Sequence, residues 1–127
     1  MTYVLDTNVL LRYLVGDNPK QQKQAHAWFK QAEAGKIRLL LKPVVIAETS
    51  FVLGFAYKKS REEIAEALES MLAQKWLEVE NRNTLTNMWY WYKKGFHFVD
   101  SYLLAWTKNN ETSLLTFDKA LEKAANN

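Results

Sequence analysis

Apolar and polar residues alternate along the chain in blocks that predict short strands separated by amphipathic helices. The first block, residues 3–5, is an apolar run of β-prone side chains that ends at Asp6. The apolar positions after it recur with helical spacing, at Val9, Leu10, Tyr13 and Leu14. The pattern therefore predicts a buried strand with a carboxylate at its carboxyl end, which is the edge where ligands bind in open α/β sheets.

Further strands and helices follow in alternation. Strands are predicted over residues 37–41 and 113–117, with a weaker candidate at 76–79, and helices over 20–34, 44–57, 83–94, 99–108 and 119–125. A further helix is predicted to start at Ser60, with apolar positions from Ile64 to Leu72. Two helix starts carry capping signals: Asn18 before Pro19, and the capping box of Ser60 and Glu63. This alternation predicts an α/β fold, with a parallel β-sheet flanked by helices on both faces in three α/β/α layers.

The composition is that of one globular domain over residues 1–127. Hydrophobic residues make up 48% of the 127 and charged residues 24%, which is enough apolar material for a core. Cysteine is absent, so disulfides and thiolate zinc sites are excluded, and a reducing, cytoplasmic setting is expected. No apolar run reaches membrane-spanning length, so no membrane partner is expected. The net charge of +3 leans weakly toward a polyanionic partner.

Two acidic residues, Asp6 and Asp118, share one context, since each follows an apolar run and precedes a predicted helix. A simple explanation is that each caps its helix, which is a common role for aspartate. That explanation is weaker for Asp6, because Thr7 and Asn8 offer two further side chains able to cap.

Two other acids lie among apolar helical positions. Glu48 falls within the 44–57 helix, which is apolar around most of its circumference, as is typical of a helix in the core or at a subunit interface. No Lys or Arg lies within a helical turn of Glu48, so burial would leave its charge unpaired, and a functional role is favoured over an ion pair. For Asp100, a helix N-cap near Val99 is an equally good explanation.

Together, the four acids point to a metal site. Carboxylates gathered in one place repel one another, and their pKa values rise unless a cation joins them. Hard oxygen ligands of this kind suit Mg²⁺ or Mn²⁺. A divalent metal held in this way activates water and neutralises charge on a phosphodiester.

The same residues carry a resemblance to a known family. The chain resembles the PIN-domain ribonucleases, of the small kind typified by the VapC toxins of bacterial and archaeal toxin–antitoxin pairs. The resemblance spans the whole length and rests on LDTNVLL at residues 5–11, the isolated Glu48, FVDSYLLA at residues 98–105 and LLTFD at residues 114–118. Each motif is weak alone, whereas the four in this order and spacing are fairly specific.

The resemblance implies a role for each matching residue. The four acids form one pocket, in which Asp6 and Asp100 contact Mg²⁺ or Mn²⁺ and Glu48 and Asp118 complete the site. Three polar residues support the pocket through hydrogen bonds: Thr7, Asn8 and Thr116. The implied reaction is hydrolysis of RNA phosphodiesters by a metal-activated water, as in an endoribonuclease. The family also implies a homodimer and, for the toxins, a cognate antitoxin whose tail covers the site.

Basic residues near predicted helix ends are candidate contacts for RNA or an antitoxin, namely Arg12, Lys58, Lys59, Lys93 and Lys94. A solvated helix end explains each lysine cluster slightly better, since lysine there complements the helix dipole. An exposed surface role explains Arg12 at least as well. The aromatic run over residues 89–92 is expected to lie half in the core and half along a groove or interface, where rings can stack on bases.

Two other functions stay open on the sequence alone. One is a phosphoryl-transfer or receiver-type domain with a phosphoaccepting aspartate. Such a domain requires paired acids at the first strand and a lysine after the last strand. Here Asp6 has no paired acid, and Lys119 is a poor match for that lysine. The other is a non-catalytic RNA-binding module with a vestigial site, and the presence of all four acids argues against it.

Overall fold

The sheet consists of three short parallel strands. The computed structural model describes all 127 residues and places β1 at Thr2–Val4, β2 at Arg38–Leu41 and β3 at Glu78–Val79. The order is β1-β2-β3, with Tyr3 opposite Leu39 in the first pair. Parallel strands joined through helices confirm the predicted α/β class, and the weak strand candidate near residue 78 is confirmed as β3.

Helices account for most of the remaining chain. They are α1 (Thr7–Leu14), α2 (Pro19–Glu33), α3 (Pro43–Phe55), α4 (Arg61–Leu72), α5 (Arg82–Asn87), α6 (Trp89–Lys93), α7 (Phe98–Asn109) and α8 (Lys119–Ala125). The predicted 83–94 helix is interrupted at Met88, whose backbone stays in the right-handed helical region. None of the helices has the length and apolar content that a bilayer crossing requires.

The chain divides into two compact units, Met1–Glu80 and Asn81–Asn127. The first unit contains the sheet and α1 to α4, and the second contains α5 to α8. The assignment of residues 1–127 to a single domain stays a prediction.

Both capping signals are confirmed in the first unit. The Asn18 side chain accepts a hydrogen bond from the Gln21 backbone N–H at 3.1 Å. Ser60 and Glu63 form the complete capping box, with 3.1 Å from the Glu63 N–H to Ser60 Oγ and 3.0 Å from the Ser60 N–H to Glu63 Oε1. Such caps satisfy the backbone donors that the first turn of a helix leaves unpaired.

The core of the first unit is centred on β2. Leu39 and Leu41 are buried, and leucine or isoleucine side chains from α1, α3 and α4 are buried in the same unit. The burial expected for the run at residues 3–5 holds only for Leu5, whereas Tyr3 and Val4 are exposed. β1 pairs only with β2 and lies at the edge of the sheet, so fewer neighbouring side chains cover it.

The helix α3 is apolar around its circumference, but only part of it is buried. Ile46 and Leu53 lie in the core, whereas Val44, Phe51 and Phe55 are exposed. These three fall at i, i+7 and i+11, so they form one line along the helix, which we name the α3 stripe. The rings of Phe51 and Phe55 stack with 5.6 Å between centroids.

The second unit has its own aromatic core. Trp89 is buried and makes edge-on ring contacts with Tyr92 and Phe98, at 5.3 and 5.9 Å between centroids. Leu85 on α5 and Leu104 on α7 are fully buried. The aromatic run therefore divides as expected, with Trp89 and Tyr92 buried while Tyr90 is exposed.

The strand predicted over residues 113–117 is wrong. The segment forms no strand, and Leu115 and Phe117 are 98% and 105% exposed. A β-prone apolar run becomes a strand only when a neighbour pairs with its backbone N–H and C=O groups. No such pairing is formed at residues 113–117.

Candidate functional site

Asp6 lies between β1 and α1, at the N-cap position of the helix. Its backbone carbonyl accepts hydrogen bonds from the N–H groups of Val9 and Leu10, at 3.1 and 3.3 Å. Its carboxylate accepts no capping hydrogen bond, although the extended backbone would allow one. The carboxylate also forms no ion pair and is exposed, so its oxygens are available to a ligand.

Two cavities of the first unit lie beside this helix start. One of about 320 Å³ is lined by Asp6 together with mainly apolar side chains, among them Val4, Val9 and Trp28. A second, of about 180 Å³, is lined by Asn8 and shares Val9 and Trp28 with the first. Thr7 is buried between these two exposed neighbours in sequence. Asp6 and Asn8 thus line different cavities, and Thr7 is part of the packed interior.

Glu48 is exposed on α3, which contradicts the expectation that it is buried among apolar neighbours. It lies four residues after Val44 and three before Phe51, so it interrupts the exposed α3 stripe rather than the core face. Its carboxylate has no hydrogen bond or ion pair in the structure. Because Glu48 is exposed, no desolvation cost singles out its carboxylate, and its place in the acidic pocket stays a prediction.

Asp100 is half-buried in the first turn of α7. The N-cap of that helix is His97, so the explanation of Asp100 as an N-cap near Val99 is wrong. Ser101, which is fully buried, donates a hydrogen bond to the carbonyl oxygen of His97 at 2.8 Å and so holds the start of the helix. The Asp100 carboxylate has no protein partner, and its position near the helix N-terminus favours negative charge there.

Asp118 does cap a helix. Its Oδ1 accepts a hydrogen bond from the Leu121 backbone N–H at 3.0 Å, at the start of α8. The Asp118 backbone N–H in turn donates to Thr116 Oγ1 at 3.1 Å. Thr116 therefore fixes the backbone of the predicted acid, while one carboxylate oxygen of Asp118 is already engaged.

The predicted acids are shared between the two units. Asp6 and Glu48 belong to Met1–Glu80, and Asp100 and Asp118 belong to Asn81–Asn127. Within either unit, no group of three or more His, Cys, Asp or Glu side chains is arranged to hold a metal ion. The donor chemistry nevertheless suits a hard divalent cation, since three of the four acids keep both carboxylate oxygens free of protein partners. The four-acid pocket itself stays a prediction.

Arg12, a predicted contact for RNA or an antitoxin, has several partners within the protein. Its Nε donates to Gln21 Oε1 at 2.7 Å, and its Nη1 lies 3.2 Å from Tyr57 Oη. The same Nη1 forms an ion pair with Asp17 at 3.4 Å, and Tyr57 Oη donates to Asp17 at 2.7 Å. This network links α1, the start of α2 and the segment just after α3, which supports the alternative of a surface structural role.

The predicted lysine contacts lie on exposed segments. Lys58 and Lys59 fall in the connection between α3 and α4, with Lys58 Nζ 5.3 Å from the centroid of the Phe55 ring. Lys93 is in the last turn of α6, and Lys94 caps that helix at its C-terminus. Lysine at a helix C-terminus complements the dipole, so a role in the helix is compatible with one in binding.

Two further lysines of the second unit were missed on the sequence. Lys108 on α7 and Lys123 on α8 line the same cavity as Lys94. Each stands in the last turn of its own helix, where an isolated lysine is ordinary. Only helical periodicity on α8 offered a signal, since Ala120, Lys123 and Ala124 share one face.

Comparison with known families identifies the chain. The family model described as PIN domain matches residues 3–127, which is nearly the whole sequence. The chain therefore belongs to the PIN-domain family. Neither curated proteins nor solved structures gave a significant match. PIN domains are generally nucleases and typically depend on a divalent metal, and this membership removes the receiver-type alternative.

Proposed function

We propose that this protein is a Mg²⁺- or Mn²⁺-dependent endoribonuclease that hydrolyses RNA phosphodiester bonds. The observation that carries the proposal is the family match over residues 3–127, together with three acids whose carboxylates have no partner in the protein. We assign Asp6 and Asp100 to direct contact with the metal, and Glu48 and Asp118 to completion of the acidic pocket.

The proposed role of each acid follows from whether its carboxylate oxygens already accept a hydrogen bond. Asp6 and Asp100 present oxygens that no N–H group occupies, so binding a cation breaks no existing hydrogen bond. Asp118 keeps its capping bond through Oδ1 and offers its second oxygen. Thr116 orients the Asp118 backbone, and we assign Thr7 and Asn8 to supporting the part of the pocket formed by Asp6. The chemistry supplied by a bound divalent cation is activation of water and neutralisation of phosphate charge.

The test is cleavage of a labelled RNA by purified variants. Asp6→Asn and Asp100→Asn each remove a charge without changing shape, and we expect at least about a 100-fold loss of rate, as for loss of other electrostatic groups in active sites. Glu33→Gln, an exposed acid at the end of α2, is the matched control and should cut like the wild type. EDTA should stop cleavage, and added Mn²⁺ should restore it. Wild-type rates in both variants would refute the assignment.

We further propose that the protein acts as the toxin of a type II toxin–antitoxin pair. The support is its resemblance to VapC-like toxins in the four acid-containing motifs. The neighbouring gene discriminates this from a housekeeping nuclease, since a toxin should be encoded beside a short DNA-binding protein. That neighbour, when added in equal amount, should inhibit cleavage, and its absence would contradict the toxin role.

A homodimer is part of the same proposal. The exposed α3 stripe supports it, because apolar side chains grouped on a surface are typical of interfaces, and Glu48 is the charged residue among them. Light scattering should give twice the monomer mass of 14.8 kDa. Phe55→Glu, which places a charge on the stripe, should shift the mass to the monomer value. A wild-type chain that stays monomeric at high concentration would contradict the dimer.

A further inference from the structure

A cavity of the second unit combines lysines with aromatic rings. It has a volume of about 400 Å³ and lies against α6, α7 and α8. Three lysines line it, Lys94, Lys108 and Lys123, and no acidic side chain does. Its size falls within the range of about 300–1,000 Å³ that is typical of small-ligand sites.

One wall of the cavity consists of aromatic rings held in place. Lys94 Nζ donates to Tyr90 Oη at 2.6 Å and lies 4.2 Å from the centroid of the same ring. The Tyr90 ring meets Trp91 edge-on, with 5.5 Å between centroids. Tyr90 is nevertheless 59% exposed, so its ring is both fixed in orientation and accessible. A fixed, exposed ring is a suitable platform for a nucleobase.

The lining contributed by α8 is small and positively charged. Ala120 and Ala124 lie one turn apart on α8 and leave space for a ligand, while Lys123 lies on the same face. The Lys123 ammonium group makes no hydrogen bond or ion pair, whereas Lys108 Nζ donates to the backbone oxygen of Asn127 at 3.2 Å. Lys123 therefore has an unpaired charge beside the cavity, whereas Lys108 is engaged by Asn127, the last residue of the sequence, which also lines the cavity.

We propose that this cavity, the α6–α8 cleft, binds a nucleotide of single-stranded RNA outside the acidic pocket. The base stacks on the face of Tyr90 that Lys94 leaves open, with Trp91 edge-on beside it, and the flanking phosphates contact Lys94 and Lys123. An acidic peptide would satisfy the lysines but would leave the exposed ring platform unused. The inference rests on the proposed function, because it names a second contact for the same RNA substrate.

The electrostatic part is tested by fluorescence anisotropy with a labelled eight-residue oligouridine in EDTA, so that no cleavage occurs. The double variant Lys94→Gln/Lys123→Gln should lower the slope of log K against log salt by about 1.4, that is, about 0.7 for each lost phosphate contact. At 0.1 M salt this corresponds to about 25-fold weaker binding. Lys20→Gln/Lys23→Gln removes the same charge from exposed positions on α2 and should leave the slope unchanged. Equal weakening by both double variants would overturn the proposal.

The stacking part uses a matched pair at one position. Tyr90→Phe keeps the ring and should bind within about twofold of the wild type, whereas Tyr90→Leu should weaken binding at least about fivefold, the lower bound for one stacked base. A twelve-residue oligoglutamate should compete poorly with the RNA. If it competes as well as the RNA and Tyr90→Leu has no effect, the cleft is a site for acidic protein and the proposal fails.

Failure of this inference can be told apart from failure of the proposed function. Binding in EDTA is independent of cleavage, and cleavage is tested at Asp6 and Asp100. Cleavage that depends on those acids, with no selective loss in the cleft variants, would overturn the cleft alone. Selective binding by the cleft without any metal-dependent cleavage would overturn the nuclease alone.

Discussion

Asp6 and Asp118 occupy equivalent places in the sequence, but the structure gives them different tasks. Both follow an apolar run and stand at the N-cap of a helix. The run before Asp6 forms a paired strand, and the Asp6 carboxylate makes no capping bond. The run before Asp118 forms no strand, and the Asp118 carboxylate caps α8. An acid after an apolar run is therefore not sufficient to assign either a strand end or a cap.

The difference teaches how a functional acid is distinguished from a structural one. At Asp6, backbone donors of the first turn pair with a carbonyl oxygen, and the carboxylate stays available. At Asp118, half of the carboxylate already stabilises a helix of seven residues. A carboxylate that makes no hydrogen bond in the fold can bind a cation without loss of stability. A carboxylate that caps a helix, such as that of Asp118, contributes to stability as well as to the proposed site.

The largest loss of stability is expected for substitutions in the core beneath the two helices that Asp6 and Asp118 precede, α1 and α8. Leu10 and Leu121 are the buried leucines of the first turns of α1 and α8. Leu10→Ala should lower the free energy of unfolding by about 2–5 kcal/mol, and Leu121→Ala by an amount near the lower end of this range, since α8 is short and terminal. Urea unfolding followed by circular dichroism measures both. A larger loss for Leu121→Ala would mean that α8 is anchored more firmly than α1.

The capping box at Ser60 and Glu63 is the reference for a complete cap, with two reciprocal hydrogen bonds. By comparison, the Asp118 side chain makes one capping hydrogen bond and the Asp6 side chain makes none. Ser60→Ala should cost about 1–2 kcal/mol, which thermal unfolding can measure. The hydrogen bond from the Ser60 backbone N–H, and then that from its side chain, lowers the pKa of Glu63 from its ordinary value of 4.5.

The lowered pKa fixes the direction of the pH dependence. Ionised Glu63 stabilises the folded state above pH 4.5, and this contribution is lost as the pH falls through the lower folded pKa. Glu63→Gln should therefore be less stable than the wild type at neutral pH and should approach it below the folded pKa. Glu62→Gln, an exposed neighbour, should show no such convergence. A constant difference at every pH would show that Glu63 acts without its charge.

Substitution of the two aspartates tests the comparison directly. Asp118→Ala should lose about 1 kcal/mol of stability, whereas Asp118→Asn, which can still cap, should stay within about 0.5 kcal/mol. Asp6→Ala should also stay within about 0.5 kcal/mol, because no side-chain bond is lost. Thermal unfolding without metal is the measurement. A marked loss in Asp6→Ala would show that Asp6 acts as a cap after all.

The smallest effect is expected at the exposed segment before Asp118. Leu115→Ser should change the free energy of unfolding by no more than about 0.5 kcal/mol, since Leu115 is 98% exposed. A loss of more than about 2 kcal/mol would instead support the predicted strand, because only burial of the side chain explains a cost of that size. Tyr90→Leu, which also replaces an exposed side chain, is a suitable reference for the change in stability.

Local features of the fold were predictable from the sequence because their physical causes lie within a few residues. The capping bonds of Asn18 and Ser60 join groups three positions apart, so the start of α4 followed from that chemistry, and the bounds of α8 followed from the local pattern. The central strand near Leu39 was predictable because an apolar run between two helices has few alternatives. The candidate acids were visible because the motifs that contain them are contiguous.

Tertiary structure alone decided what each of these groups faces. The exposure of Glu48, the unpaired segment around Leu115 and the position of β1 at the sheet edge depend on neighbours distant in sequence. The convergence of Lys94, Lys108 and Lys123 on one cavity depends on how three helices pack. Hydrogen bonds between near neighbours are encoded locally, whereas burial and the grouping of charges are properties of the packed chain.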